Sequence, residues 1–250
     1  MSAERIKENI LCLFFPKRCC FCGKVIRPEK TVCSECEDEA FRIEGETCLL
    51  CGYSKQDCIC KGHKNAYSEI YSPFYYELGG RKAVLRLKDK GVKSVAERLA
   101  KDMYESVMKN ASDKDFDEIA FVPMTKRQLK SRPANQSELL ARELSKLMNI
   151  PVRSYLVKLS DVPMQHTLNE SKRKGNVLGI FDVTDVTEDE NVFSPQGKSI
   201  LLCDDVKTTG ATLNECAKML KLAGAKRVCC VTATVTKKRL TKGTKNDNIG

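Results

Sequence analysis

The sequence predicts an α/β domain, with a mostly parallel sheet flanked by helices, and a small cysteine-rich module at its N-terminus. From residue 66 onward, apolar segments of strand length alternate with longer helical segments. This order is typical of parallel strands joined by right-handed helical crossovers. Ten of the 14 cysteines lie within residues 12–60, so the composition itself divides the chain into two parts.

The composition also excludes several classes of protein. Of the 250 residues, 42% are hydrophobic, which is enough to bury a core and excludes global disorder. No stretch approaches the roughly 18 consecutive apolar residues of a membrane span. The apolar run at residues 10–15 is short, is closed by Pro16 and lacks a small-residue cleavage site, so we do not expect it to be a signal peptide. We therefore expect a cytoplasmic protein.

We place the module at residues 1–63, the α/β domain at residues 66–236 and a basic, polar tail at residues 237–250. A module this short and this poor in core residues needs staples to be stable. If those staples are metal ions, a strong chelator should unfold the module and leave the α/β domain folded.

Each element of the α/β domain has its own local signal. Residues 67–76 alternate apolar and polar side chains, which favours a strand, and the apolar spacing of residues 82–107 indicates one amphipathic helix. The continuous apolar run at residues 199–203 is typical of a buried parallel strand. Gly224 ends a helix at residues 212–223. The other predicted elements are a helix at residues 136–148 and strands at residues 117–123, 152–157 and 228–234.

Eight of the N-terminal cysteines form four short pairs. The pairs are Cys19 with Cys22, Cys33 with Cys36, Cys48 with Cys51, and Cys58 with Cys60. Each pair can present two thiolates to one ion, and two pairs complete a tetrahedral four-sulfur site. In a chain without an export signal, such clusters indicate metal ligation more than disulfides. The sequence therefore predicts two zinc sites, which are structural because four sulfur ligands leave no open position.

Two details of this cluster stay open in the sequence. Cys12 and Cys20 lie outside the regular pairs, and each is either a packing residue or an additional ligand. The spacing of Cys58 and Cys60 is tighter than usual, so His63 is an alternative ligand or an exposed loop histidine. Gly23 and Gly52 directly follow a pair and supply the permissive backbone of a tight knuckle.

The sharpest motif follows the buried strand at residues 199–203. Asp204 and Asp205 come at its carboxyl end, and a loop of Thr and Gly residues then leads into a helix. Backbone N–H groups at a helix N-terminus bind phosphate, threonine hydroxyls add donors, and carboxylates accept hydrogen bonds from ribose hydroxyls. The motif thus predicts a sugar phosphate site. The alternative is a turn with a threonine helix cap.

This motif resembles the phosphoribosyl pyrophosphate signature of type I phosphoribosyltransferases. Together with the double zinc ribbon, it makes the chain similar to the ComF family of competence-associated proteins. Supporting stretches are Val122-Pro123-Met124-Thr125-Lys126-Arg127, Gln165-x-x-Leu168, Arg173-x-x-Asn176-Val177 and Gly179-x-Phe181. One loop departs from the family: Arg132-Pro133-Ala134-Asn135-Gln136 stands where the family has Arg-Gly-Phe/Tyr-Asn-Gln.

The resemblance implies a type I phosphoribosyltransferase-like fold and a role for individual residues. Asp204 and Asp205 would be the catalytic pair and would face the ribose 2′ and 3′ hydroxyls. The residues around the 5′-phosphate would be Thr208, Thr209, Gly210, Ala211 and Thr212. Lys126 and Arg127 would belong to the pyrophosphate loop, and Arg173 to a flap at residues 172–174. In an active transferase, Mg²⁺ would bind together with phosphoribosyl pyrophosphate.

The net charge of +10 is concentrated in three segments. Residues 81–101 carry eight Lys or Arg against two acids, residues 126–174 eleven against four, and residues 237–250 five against one. Clustered positive charge beside zinc ribbons is typical of proteins that bind nucleic acid nonspecifically. The alternative is an ordinary solvated helix face. Phe74, Tyr75 and Tyr76 either stack on bases or belong to the core.

Three functions fit these features. The first is a ComF-like protein of DNA uptake in competence and transformation, which binds single-stranded DNA and a phosphoribosyl pyrophosphate or nucleotide ligand and works with a helicase-type partner. The second is an active phosphoribosyltransferase of nucleotide salvage, although residues 231–242 offer no aromatic platform for a base. The third is a zinc-stabilised scaffold with a vestigial site. The sequence leaves open whether the protein is an enzyme.

Overall fold

The computed structural model describes residues 16–58, 60, 64–132, 134–159, 181–184, 186–188 and 191–237. Its helices are α1 (Ser34–Asp38), α2 (Leu78–Lys90), α3 (Lys93–Asn110), α4 (Lys126–Ser131), α5 (Gln136–Met148) and α6 (Ala211–Leu222). Its strands are β1 (Ile70–Tyr71), β2 (Phe74–Tyr75), β3 (Glu118–Phe121), β4 (Val152–Arg153), β5 (Leu156–Lys158), β6 (Phe181–Val183), β7 (Val186–Glu188), β8 (Asn191–Phe193), β9 (Ser199–Lys207) and β10 (Arg227–Val235).

Six of these strands form one parallel sheet in the order β1-β10-β9-β3-β4, with β2 also paired to β10. The long strands β9 and β10 form its centre and stay in register from Ser199 opposite Arg227 to Lys207 opposite Val235. The pairs β5-β6 and β7-β8 are antiparallel. The predicted α/β class, a mostly parallel sheet flanked by helices, is confirmed.

Three predicted elements are each divided in two. The strand at residues 67–76 is interrupted at Pro73, which has no N–H for a ladder and whose carbonyl accepts from the N–H of Ile43. The single helix at residues 82–107 is wrong: Gly91 adopts a left-handed φ of 55° and ends α2, so that α3 begins anew at Lys93. The strand at residues 152–157 becomes β4, which joins the main sheet, and β5, which pairs with β6.

Both faces of the sheet are buried, which explains the uninterrupted apolar run of β9. Leu201 and Cys203 face a core cluster that includes residues of α2, α3 and α5. Ile200 and Leu202 face the opposite cluster, to which α6 contributes. This alternation follows from the two-residue period of a strand. Polar side chains of β9 are therefore expected at its carboxyl end, beyond the two cores.

The cysteine-rich module shares the first of these cores. Cys19, Phe21 and Cys36 belong to the same buried cluster as residues of α2 and α3. The Phe21 ring meets that of Phe74 edge to face, with centroids 5.9 Å apart. A side chain on Gly79 would lie 3.0 Å from the carbonyl oxygen of Cys36, so glycine permits the close approach of α2 to α1. The domain boundary at residue 63 stays a prediction, and the apolar core continues across it.

Among the described helices, none is long and apolar enough to span a bilayer.

Candidate functional site

The structure brings the eight paired cysteines together as two groups of four. One group is Cys19, Cys22, Cys33 and Cys36, and the other is Cys48, Cys51, Cys58 and Cys60. Within each group, the sulfur atoms all lie within 4.8 Å of one another. This is the assembly that the sequence predicts. In each group, the first pair lies in one loop, and the second pair comes from a later turn or helix.

The sulfur separations fit zinc. Four sulfurs at about 2.3 Å from a tetrahedral ion lie about 3.8 Å from one another. The sulfur atoms of Cys22 and Cys33 are 3.7 Å apart, and so are those of Cys51 and Cys58. Cys58 and Cys60 are closer, at 3.3 Å, because only one residue separates them. The donor set and its spacing therefore match two structural four-sulfur sites, and such sites fit a zinc-ribbon module.

Tight turns hold the first thiols of each group. The N–H of Gly23 donates to the carbonyl of Cys19 and that of Gly52 to the carbonyl of Cys48, with left-handed φ values of 80° and 78°. Burial opposes ionisation of Cys19, but backbone N–H groups that donate to its sulfur lower its pKa to about 7. The pKa of Cys48 is lowered to about 7 by the same balance. In each turn, the backbone thus favours the thiolate form of the first cysteine, which is the form that binds metal.

Cys20 is not a member of either group. Its thiol is buried and donates to the carbonyl of Ser94 at 3.3 Å, so it packs the module against α3. Cys60 lies in the second group together with Cys58, as the sequence predicts. Cys12 and His63 lie outside the described residues.

The predicted sugar phosphate motif forms a strand, a loop and a helix at the carboxyl edge of the sheet. Strand β9 does not end at residue 203 as predicted but continues through both carboxylates to Lys207. Its pairing with β3 stops at Phe121 opposite Cys203, whereas its pairing with β10 runs on. Residues 204–207 therefore project beyond β3.

The loop that follows is short and is shaped by glycine. Thr208 and Thr209 lead to Gly210, whose φ of 86° is left-handed and which precedes the first residue of α6, Ala211. The hydroxyl oxygen of Thr209 accepts from the N–H of Ala211 at 3.3 Å. Thr212 lies in the first turn of α6. All the residues predicted around the 5′-phosphate thus lie in one turn at a helix N-terminus.

The two carboxylates of the motif have different partners. Asp204 is buried, and its Oδ1 accepts from the hydroxyl of Ser137 at 2.8 Å and from the N–H of Asp205 at 2.8 Å. Asp205 forms an ion pair with Lys88 of α2, with 2.9 Å between Nζ and Oδ2. Burial and the charge of Asp205 raise the pKa of Asp204 to about 7, against the lowering effects of Ser137 and Lys88. The Asp205 carboxylate therefore has an ammonium partner, whereas the Asp204 carboxyl protonates readily.

The loop that departs from the ComF pattern positions Ser137. The Asn135 side chain accepts from the N–H of Ser137 at 3.0 Å and donates to the carbonyl of Val122 at 3.1 Å. It therefore caps α5 and ties that cap to the end of β3. Arg132 donates to the side chain of Gln136 at 3.0 Å. Pro133 lies outside the described residues.

Sequence reasoning missed Ser137 and Lys88. The sequence does contain a signal for Ser137, because Asn135 before an apolar-periodic segment indicates a helix cap and places the next residues at the helix start. Lys88 has no such signal, since it lies within a run of cations on an amphipathic helix.

Lys126 and Arg127 lie at the start of α4, directly after the loop from β3. Thr125 and Gln128 form a reciprocal capping box there, so the predicted pyrophosphate loop is the N-terminus of a short helix. Both cations are exposed and have no ion pair with another described residue. The N–H of Val122 donates to the carbonyl of Cys203, which places this loop beside β9. Arg173 and the flap at residues 172–174 lie outside the described residues, as do the motif positions at 165–179.

The second cysteine group packs beside the loop at residues 208–210. The ring of Tyr53, next to Gly52, lies 5.3 Å from Nζ of Lys207, and its hydroxyl donates to the carbonyl of Thr236 at 2.6 Å. The hydroxyl of Tyr67 donates to the carbonyl of Leu50 at 3.3 Å and would contact a side chain on Gly210 at 3.7 Å. The second cysteine group therefore lies beside the loop that precedes α6.

Part of the positive charge at residues 81–101 is already paired. Lys82 forms an ion pair with Glu39 at 2.6 Å, and Arg98 with Glu37 of α1 at 3.2 Å. Phe74 and Tyr75 are buried in the core, which contradicts the stacking alternative for these two rings. The basic helices thus serve in part to hold the acidic helix α1 and its surroundings.

The domain that carries the loop after β9 is similar to known proteins. A family model described as the phosphoribosyl transferase domain matches residues 133–248. Among solved structures, the allosteric regulatory enzyme of purine biosynthesis is 20% identical with a TM-score of 0.37, covering 55% of this chain and 25% of that one. Residues 133–248 are thus similar to phosphoribosyl transferase domains.

Two curated relatives extend over most of the chain. Competence protein ComFC of Bacillus subtilis (strain 168) is 25% identical over 206 residues, which cover 78% of this chain and 80% of ComFC. DNA utilization protein YhgH of Escherichia coli (strain K12) is 26% identical over 214 residues, covering 84% of this chain and 86% of YhgH. The chain is thus similar over most of its length to a competence protein and to a DNA utilization protein, as its motifs predict.

Proposed function

We propose that this protein acts in DNA uptake, where it binds single-stranded DNA and holds a phosphoribosyl pyrophosphate or nucleotide ligand at the carboxyl edge of its sheet. The observation that carries the proposal is the strand, loop and helix arrangement of Asp204, Asp205 and Gly210. The similarity to a competence protein and to a DNA utilization protein supports the biological setting. A helicase-type partner is part of the proposal because of the ComF resemblance alone.

The ligand would lie along the motif with its 5′-phosphate at the start of α6 and its ribose at the acidic pair. The 5′-phosphate would accept hydrogen bonds from N–H groups at the start of α6 and from the hydroxyls of Thr208, Thr209 and Thr212. The acidic pair would accept from the ribose hydroxyls. Lys126, Arg127 and Arg173 would contact a diphosphate.

The metals would have separate roles. Zinc at the two four-cysteine groups would hold the module folded and would take no part in chemistry. Carboxylates are ligands that Mg²⁺ prefers, so Asp204 and Asp205 could hold it with the diphosphate, whose charge it would neutralise.

Among the described residues, the exposed cations of α4 are the strongest candidates for DNA contact. Lys126, Arg127 and Lys130 are exposed and lie on one short helix at the carboxyl edge. Positive charge of this kind binds a nucleic acid backbone by releasing counterions, so affinity falls steeply with salt. This edge would then bring DNA close to the ligand site.

Fluorescence anisotropy with labelled single-stranded DNA over a range of salt concentrations tests the DNA proposal. Removing three cations as K126Q/R127Q/K130Q should weaken binding and flatten the salt dependence by up to about 2 in the log-log slope. The control K109Q/K114Q/K226Q removes three exposed lysines near the opposite edge of the sheet. Equal weakening by both triples contradicts the assignment to α4, and absence of wild-type binding at low salt contradicts DNA binding itself.

Transfer chemistry is a second candidate, which the intact acidic pair favours. Release of pyrophosphate from phosphoribosyl pyrophosphate, measured across a panel of bases, would establish it. Activity that survives D204N/D205N would remove this site from the mechanism.

A further inference from the structure

Lys88 occupies a defined place against the acidic pair. It lies in the last turn of α2, whose register is fixed by the fully buried neighbours Val84 and Leu87. Gly91 ends the helix just beyond it, and its N–H donates to the carbonyl of Leu87 at 3.0 Å. The ammonium of Lys88 is thereby held over the carboxyl end of β9.

The ion pair between Lys88 and Asp205 is enclosed rather than superficial. The side chains are 24% and 13% exposed, and the separation of Nζ and Oδ2 is 2.9 Å. Removing two charges from water is costly, and a pair of this kind contributes little net stability relative to apolar side chains. Within the described residues, Asp205 is the only ion-pair partner of Lys88. An enclosed cation with one partner, at the rim of a candidate anion site, points to a ligand.

The direction of the bound sugar places this cation near one end of the ligand. If the 5′-phosphate lies at Thr208 and Thr209 and the ribose hydroxyls at the acidic pair, the C1 substituent lies next to the 2′ hydroxyl. A hydroxyl that donates to Asp205 at about 2.7 Å then has Nζ of Lys88 within about 6 Å. The neighbouring C1 substituent is the ligand group that Lys88 can reach.

We propose that Lys88 is a ligand-binding residue that favours ribose 5-phosphates with an anionic group at C1, such as a diphosphate. In the free protein it is the counter-ion of Asp205, and in the complex it also contacts the C1 anion. This inference rests on the proposed ribose phosphate site. It adds a cation fixed against the acidic pair to the diphosphate contacts proposed for Lys126 and Arg127. The loop at residues 208–212 and the acidic pair contact parts that all ribose 5-phosphates share.

Isothermal titration calorimetry with two probes tests it on the full chain with zinc bound. The probes are phosphoribosyl pyrophosphate and ribose 5-phosphate, each with Mg²⁺. We expect K88M to lower affinity for phosphoribosyl pyrophosphate about tenfold or more and affinity for ribose 5-phosphate less than about threefold. K88R should restore the preference, because it retains the charge. K82M is the matched control, since it breaks the ion pair with Glu39 on the same helix, and it should alter neither affinity.

The affinities of K88M for the two probes distinguish a ligand-binding role of Lys88 from a structural one. Equal loss of both ligands in K88M assigns Lys88 a structural role and overturns the inference, as does unchanged affinity for both. If K88M unfolds, K88Q provides the same comparison with a polar side chain. A wild-type protein that binds neither probe contradicts the proposed site itself, and the role of Lys88 with it.

Discussion

The hydroxyl of Ser137 donates to Oδ1 of Asp204 at 2.8 Å and so connects the start of α5 to the carboxyl end of β9. Both residues are buried. A hydrogen bond to a buried carboxylate favours its ionised form and fixes its orientation. Because Asn135 caps the same turn, the loop from β3 to α5 positions the first residue of the acidic pair.

Replacing Ser137 with alanine should leave the Asp204 carboxyl with one donor fewer. We expect S137A to raise the pKa of Asp204 further and to lower the free energy of unfolding by about 1–3 kcal/mol at neutral pH. Urea unfolding measures the loss. S145A is the control on the same helix, since its hydroxyl donates to a backbone carbonyl, that of Ile150. Its effect should not vary with pH, and a pH-independent effect of S137A would contradict the coupling to Asp204.

The raised pKa of Asp204, about 7, predicts a pH dependence of stability. An unfolded aspartate ionises near pH 4. Between about pH 4 and 7 the unfolded chain loses this proton while the folded protein retains it, so the contribution of Asp204 to stability falls as pH rises. D204N removes this contribution. The stability of D204N relative to wild type should therefore increase from pH 5 to pH 8 in chemical denaturation, and a constant difference would contradict the prediction.

Zinc removal should destabilise the whole protein rather than the module alone. The sequence favours independent unfolding of residues 1–63, but Cys19, Phe21 and Cys36 share a core with α2 and α3. We expect two zinc ions per chain by metal analysis. A strong chelator should lower the melting temperature of the β-sheet signal in circular dichroism together with that of the module. An unchanged melting temperature for the sheet would contradict this prediction and support independent unfolding of residues 1–63.

Tyr53 should affect ligand binding although it belongs to the module. Its ring lies 5.3 Å from Nζ of Lys207, at the end of the strand that leads into the phosphate loop. Y53L should weaken binding of ribose 5-phosphate several-fold, because the end of β9 and the loop that follows it lose the packing of the aromatic ring. Y53F retains the ring and loses the hydrogen bond to Thr236, so it should bind more tightly than Y53L. Identical affinities of wild type and Y53L would separate the module from the site.

The features that the sequence predicted well are local ones. Cysteine spacing predicts the metal groups because each pair lies in one turn, and the apolar run with Asp204 and Asp205 predicts a strand, a loop and a helix because the signals follow one another. The register between β9 and β10 then places the motif at the carboxyl edge, as parallel strands require.

The features that the sequence could not supply depend on tertiary contacts. Helical spacing continues across residues 82–107, so only the left-handed turn at Gly91 reveals two helices. Charge counts along residues 81–101 cannot include partners such as Glu39, which neutralises Lys82 from a distant part of the chain. Lys88 has an ordinary helix-surface pattern, and its place beside Asp205 follows from the packing of α2 on the sheet.

Binding of phosphoribosyl pyrophosphate, measured by calorimetry with Mg²⁺ for wild type and D204N/D205N, tests the central claim most directly. The control D113N/D115N removes two acids from the loop before β3, away from the site. We predict one bound ligand per chain in the wild type and the control, and at least about tenfold weaker binding in D204N/D205N. No binding to the wild type, or equal affinity in all three proteins, would contradict a ribose phosphate site at the carboxyl edge of the sheet.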